Sequence, residues 1–281
     1  MANAPCLLVM AAAILAPTSA DRPASTGTSS LDAIQLTTGE PKVLFQPTDQ
    51  IQYFPDEAIA VLRRRPFEAL ITVSKSTWLF QGPSIEEMTP VTEVLAPGGP
   101  GDFDNGYVGV GGVIERRGEI LAFYHAEDHE QMGKISYNDV HSFYASIGLA
   151  VSNDGGRVFE KRGCILTSRS SKQPSGAEAQ GIGDVSVCLS KDRSHVLAYF
   201  SDWTDMKAQG TQISLARAKV GSADNPKAWK KWHNDDFTEQ GLGGSSTPVI
   251  DLRPQGGDAH APHVQYVTSL GCYVATYCVL S

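Results

Sequence analysis

Three segments of this chain recur at a fixed interval: ILAFYHAED from Ile120, VLAYFSDWT from Val196 and CYVATYCVL from Cys272, each 76 residues after the one before. An apolar run precedes each of them: VGVGGVI (Val108 to Ile114), DVSVCL (Asp184 to Leu189) and HVQYVTSL (His263 to Leu270). A third run follows the first two, SIGLAVSND (Ser146 to Asp154) and QISLARAKV (Gln212 to Val220). An aromatic, basic stretch then ends the unit, FEKRG (Phe159 to Gly163) or WKKW (Trp229 to Trp232). Short apolar runs divided by Gly, Asp and Asn read as strands. No long stretch carries helical periodicity, and only DEAIAVLRR is ambiguous between helix and strand. The unit is therefore four antiparallel strands. One such sheet cannot bury both faces alone, whereas stacking sheets around an axis buries them, so the period predicts an all-β propeller.

A fainter unit precedes these: DEAIAVL, FEALITV, STWLFQG and VTEVL, between Asp56 and Leu95. Blades then start near Asp56, Val108, Asp184 and Thr247, about 3.5 blades where a closed propeller has roughly four to eight. The last breaks off mid-pattern at Ser281, so the sequence reads as truncated, with a raw sheet edge at its end. The expected organisation is a leader over 1–20, an extension over 21–50 and an incomplete propeller over 51–281.

Composition narrows the partners. The 27 glycines and 16 prolines suit many tight turns, and 281 residues at 41% hydrophobic can bury a substantial core. A net charge of −8 repels phosphate backbones, so nucleic acid is not expected as a partner. Arg63 to Arg65 form too short a run to change that and read as a solvated turn. The apolar run from Cys6 to Ala16 has the length of a signal-peptide core and is too short to span a bilayer, with small residues before a cleavage point at Ala20. Its front end lacks Lys and Arg. The expectation is a secreted or periplasmic protein with no membrane anchor after cleavage. No CxxC occurs among Cys6, Cys164, Cys188, Cys272 and Cys278, so neither a zinc site nor a dithiol motif is expected, and no cofactor or metal is called for. Cys188 and Cys278 read as small buried residues, although an exported chain could pair its four later cysteines.

The stretches SIGLAVSNDGGRVFEKRGCIL and GIGDVSVCL…VLAYFSDWT resemble the five-bladed β-propeller glycoside hydrolases: the arabinanase/xylosidase clan with the related invertase-like and mannoside-phosphorylase families. The resemblance runs from about Asp56 to the C-terminus. It implies that the first strand of each blade brings carboxylates to the axis. It implies a base or nucleophile opening the first blade, matched by Asp56 in YFPDEAIAVL. A second acid opening the third blade, which tunes pKa and orients sugar, is matched by Asp184 in GIGDVSV. The family's general acid is a Glu opening the fourth blade, where this chain reads GGSSTPVI (Gly243 to Ile250). Glu239 and Glu127 are the remaining acid candidates. The resemblance implies a carbohydrate substrate.

Breaking a glycosidic bond takes one carboxylic acid to protonate the leaving oxygen and one carboxylate to attack or to activate water. A neighbouring charge or burial must hold the acid's proton on. Each candidate also has a plainer reading. Asp56 fits an exposed loop acid, Asp184 an Asx-type turn cap, and Asp102 and Asp104 in GDFDNGY a turn instead of sugar-binding groups. Trp203 and Trp78 could stack on a sugar ring or fill the core. His125, with His129, His260 and His263, reads as hydrogen-bonded and not as a metal cluster, and His125 is also a substrate-binding candidate. SNDGGRVF (Ser152 to Phe159) fits the Asp-box of sialidase-like propellers, a structural device at a blade corner. The alternatives are a non-catalytic carbohydrate-binding propeller, a sialidase-like enzyme and a phosphorylase.

Overall fold

The structure is a computed structural model and describes residues 10–15, 40, 43, 55–133, 142–174, 179–204 and 210–280. Its strands are β1 (Met10–Leu15), β2 (Ala60–Arg64), β3 (Phe67–Val73), β4 (Ser76–Gly82), β5 (Thr89–Leu95), β6 (Tyr107–Arg116), β7 (Glu119–Asp128), β8 (Tyr144–Ser152) and β9 (Glu160–Leu166). There follow β10 (Gln180–Leu189), β11 (His195–Asp202), β12 (Gln212–Lys219), β13 (Lys230–His233), β14 (Asp236–Gln240), β15 (Asp258–Val267) and β16 (Cys272–Leu280). Strands β2 to β5 form one antiparallel sheet, β6 to β9 a second, and β10 to β14 a third. The second and third join only through a two-residue parallel contact, Gln180 with Tyr144 and Gly181 with Ala145. These are the blades that the repeat predicts.

The sheets stack because each is apolar on both faces. In β7, Leu121 and Phe123 point to one side and Ala122 and Tyr124 to the other, and all four are fully buried. The first pair joins Ile147, Leu149, Val196, Phe200 and Trp229 in the layer between the second and third blades. The second pair joins Leu70, Leu79, Val108 and Val110 between the first and second. Cys188, Leu197, Leu215, Val264 and Tyr273 fill the layer between the third blade and β15–β16. Each large side chain so buried contributes about 2 kcal/mol, which is what holds successive sheets face to face. The first strands of the blades, β2, β6, β10 and β15, line a common channel of 910 Å³. Among the described residues, β2 and β15 face this channel without pairing to each other.

One boundary changes, and two further observations add to the sequence reading. The fourth unit has its inner strand at Asp258–Val267, not at the GGSSTPVI segment. That segment gives only an isolated bridge, Ile250 to Ile213, because Pro248 and the turn at Arg253–Gln255 break it before a ladder can form. Secondly, Met10–Leu15, inside the run read as a leader core, is a strand paired with β16, Met10 opposite Cys278; most of the 1–20 leader and the 21–50 extension lie outside the described residues. Thirdly, Cys164, Cys188, Cys272 and Cys278 are all unbridged, and no helix among the described residues is long and apolar enough to cross a membrane. The Asp-box forms as expected. Ser152 Oγ donates to Asp154 Oδ1 at 2.7 Å, and the amides of Arg157 and Val158 donate to the same oxygen at 3.1 Å, closing the β8–β9 corner.

Candidate active site

Carboxylates from three blades meet around one imidazole. His125 sits on β7, buried, one position from the end of the apolar run. Its Nδ1 lies 3.1 Å from Glu57 Oε1, ahead of β2, and 3.2 Å from Asp184 Oδ1 on β10. Its Nε2 has Glu127 Oε1 at 3.5 Å. Burial alone would drain the ring of its proton. Hydrogen bonds to Asp184 and Glu57, with the charges of Glu57 and Glu127, outweigh that and hold the imidazole pKa well above 6.5. The protonated Nδ1 is thus a donor shared by two carboxylates. The Asp184 amide, 3.3 Å from the same nitrogen, becomes its hydrogen-bond donor only when Nδ1 loses the proton.

The four acids differ in environment. Asp184 would be raised by burial, but the bond and charge of His125, the Ser201 hydroxyl and the charge of His260 bring it below the ordinary carboxylate value. Glu57 is pushed up to about 7, chiefly by burial, with His125 opposing. Asp56 stands at the open end and is raised by desolvation, with the Tyr107 hydroxyl pulling the other way. Glu127 Oε2 pairs with His129 Nε2 at 2.5 Å. One group therefore holds its proton near neutrality while another stays ionised, as acid–base chemistry requires.

Local structure explains how the strands deliver these groups. Asp184 has φ of +46° at a bulge in β10 between Gly183 and Ser186. The left-handed residue turns its side chain out of the sheet toward His125, a role common for bulges beside active sites. At Gly183 a Cβ would fall 2.7 Å from the Trp203 ring and 2.8 Å from His125 Cε1, so only glycine lets both rings approach. Gly109 likewise leaves room for the Glu57 side chain. Trp203 and Phe143 wall the site, their ring centroids 5.8 and 5.9 Å from that of His125, with Tyr107 edge-on at 5.5 Å. The donor atoms of Glu57, His125 and Asp184 lie within 4.8 Å of one another. Here the imidazolium N–H occupies the position between the carboxylates, so the cluster carries its own cation.

The structure brings Asp56, Asp184, Glu127, His125 and Trp203 together. It places the other candidates elsewhere. Glu239 lies on β14, the outermost strand of the third blade, accepting from the Ser245 amide at 3.2 Å. Trp78 lies on β4, packed against the core of the first blade, its Nε1 donating to Ser76. Asp104 is buried, its Oδ2 held by Lys161 Nζ at 2.6 Å and by the Tyr124 hydroxyl at 3.1 Å inside the second blade. Asp102 caps a turn by accepting from the Gly99 amide at 2.8 Å. Sequence reasoning passed over Glu57, Tyr107 and Ser201. Their signals were the acid next to Asp56, the aromatic ending GDFDNGY, and the 76-residue step from His125 to Ser201.

No family model matches the chain, and no curated protein matches it. Solved structures do, in part. Sucrose-6-phosphate hydrolase from Lactobacillus gasseri is 9% identical with a TM-score of 0.47, covering 78% of this chain and 44% of that one. A family 117 glycoside hydrolase from Zobellia galactanivorans is 11% identical with a TM-score of 0.40, covering 73% and 70%. A glycosyl hydrolase from Bacteroides ovatus is 20% identical with a TM-score of 0.30, covering 42% and 29%. The likeness is to propeller-type glycoside hydrolase structures. The chain spans under a third of the Bacteroides ovatus protein and under half of the Lactobacillus gasseri enzyme.

Proposed function

We propose that this protein is a glycoside hydrolase whose catalytic centre is the carboxylate cluster around His125. One observation carries the reading: acids from the mouths of three blades converge on one buried imidazole, with their protonation states driven apart. Asp56, at the open end, serves as base or nucleophile. Glu57, which keeps its proton close to neutral pH, serves as general acid to the leaving oxygen. Asp184 stays ionised and holds His125 charged, which fixes the local field. The substrate is a glycan or oligosaccharide, and Trp203 offers an apolar face at the edge of the site. Action outside the cytosol rests on the apolar leader run alone.

The test is reducing-end and aryl release across a panel of glycosides and polysaccharides, with Asp56→Asn, Glu57→Gln and Asp184→Asn as controls. Release by the parent that all three variants abolish supports hydrolysis. Release that survives Asp56→Asn and Glu57→Gln together would sink these assignments. A second reading is a binding propeller without turnover. It is favoured because His125 engages both Glu57 and Asp184 internally and because the fourth inner strand carries His260 where the resembled enzymes place a Glu. Calorimetric binding of an oligosaccharide that is never cleaved would establish it.

A further inference from the structure

Ser201 lies one 76-residue period after His125, and His260 one period after Asp184. The equivalence is structural as well. His125, on the second strand of its blade, reaches the mouth of the next inner strand at Asp184. Ser201, on the second strand of the third blade, reaches the mouth of the next inner strand at Ala261, whose amide donates to Ser201 Oγ at 2.9 Å. The same hydroxyl donates to Asp184 Oδ2 at 2.8 Å. Both mouths are irregular. Asp184 has φ of +46° and Ala261 +50°, each at a bulge in its strand. Left-handed non-glycine residues persist only where their surroundings over-determine them. Ser201 is fully buried, so water cannot replace either bond.

We propose that Ser201 is a positioning residue that clamps the two strained mouths together, setting Asp184 and His260 in a fixed relation at the rim of the site. This rests on the reading of the cluster as the functional centre. The clamp has a natural control. Ser186, further along the same two inner strands, accepts from the Val264 amide at 2.9 Å but does not touch Asp184. Asp184 is otherwise faced by His125 from β7, Asp56 and Glu57 from the segment before β2, and His260 from β15, with Glu127 on the Nε2 side of His125. Replacing Ser201 removes none of these groups.

The experiment is a side-chain carboxyl NMR titration of Asp184, assigned with Asp184→Asn, alongside amide exchange in Ser201→Ala, Ser201→Thr and Ser186→Ala. In Ser201→Ala the Asp184 midpoint should rise by about a tenfold change in proton concentration, with Ala261 exchange at least roughly tenfold faster. Ser201→Thr, which keeps the hydroxyl, should restore the parent midpoint. Ser186→Ala should speed exchange at Val264 and leave Asp184 unmoved. An unchanged Asp184 midpoint in Ser201→Ala overturns the proposal, as does an equal shift in Ser186→Ala, which would mean general loosening. Should Ser201→Ala not fold, Ser201→Cys keeps the volume with a weaker donor and is read the same way. The titration needs no substrate. A chain that turns nothing over still tests the clamp, and loss of release in Asp184→Asn beside an unmoved Ser201→Ala midpoint would keep the hydrolase reading and sink only the clamp.

Discussion

His125 Nδ1 and Asp184 Oδ1 lie 3.2 Å apart although 59 residues separate them, one delivered by the second blade and the other by the third. The contact ties the layer between blades to the chemistry at the rim. It also makes Asp184 sensitive to backbone and charge at once. Asp184→Asn should fold with the parent's far-UV spectrum, since Asn tolerates a left-handed φ, while glycoside release falls about a hundredfold or more. Asp184→Ala should add about 1 kcal/mol of backbone strain, measurable as a lower midpoint in urea.

Glu57 gives a stability signature with a defined sign. Its pKa is raised from 4.5 to about 7 in the folded protein, so between those values the native state holds a proton the unfolded chain has released. Stability from this group is present in full below pH 4.5 and is lost as pH rises through 7, by roughly 3 kcal/mol at most. His125, raised well above 6.5, acts in the same direction at higher pH, whereas Asp184, lowered from 3.8, contributes stability that is lost as pH falls through its folded value. Thermal melts across pH 4 to 8 should therefore decline toward neutrality in the parent, and Glu57→Gln should flatten that decline. An equally steep decline in the variant would refute the assignment.

The two remaining acid candidates should separate cleanly. Glu127 pairs with His129 and faces His125 inside the site, so Glu127→Gln should depress release and change its pH profile. Glu239, on the outermost strand, meets the Ser245 amide instead, so Glu239→Gln should leave the rate within about twofold of the parent. Parallel rate profiles of the two variants decide the matter.

Lys231 is fully buried, and its ammonium donates to the carbonyls of Thr167 at 2.5 Å and Gly244 at 2.7 Å. Burial pushes its pKa down to about 8. Lys231→Ala strands both carbonyls and empties the volume, and should cost about 3 kcal/mol. Denaturant titration at pH 7 checks this, with no direct effect on the His125 cluster.

Much of this was legible in the sequence because repeated packing leaves repeated spelling. The alternation in ILAFYHAED and VLAYFSDWT marks strands buried on both faces, and Asp184 stood out as an acid at the mouth of the DVSVCL run. The fourth inner strand overlaps the HVQYVTSL run that the repeat marks, but the blade start was set too early, near Thr247, because Pro248 and the Arg253–Gln255 turn end a promising apolar run at Ile250. Glu57 was missed because one residue of register decides which of two adjacent acids is buried. Ser201 was missed because its one signal, the 76-residue step from His125, pairs two unlike side chains, and a strand serine gains meaning only from its partners.

The period also says how such a rim can change. Under the 76-residue step, Val108, Asp184 and His260 are one position, and His125, Ser201 and Tyr277 are another. The flanking apolar residues keep every copy folding alike, while within each set the three copies hold three different side chains. The same backbone slot thus serves as core in one blade, where Val108 and Tyr277 pack, and as a polar group of the cluster in another, so the repeat separates what a position is made of from where the fold puts it.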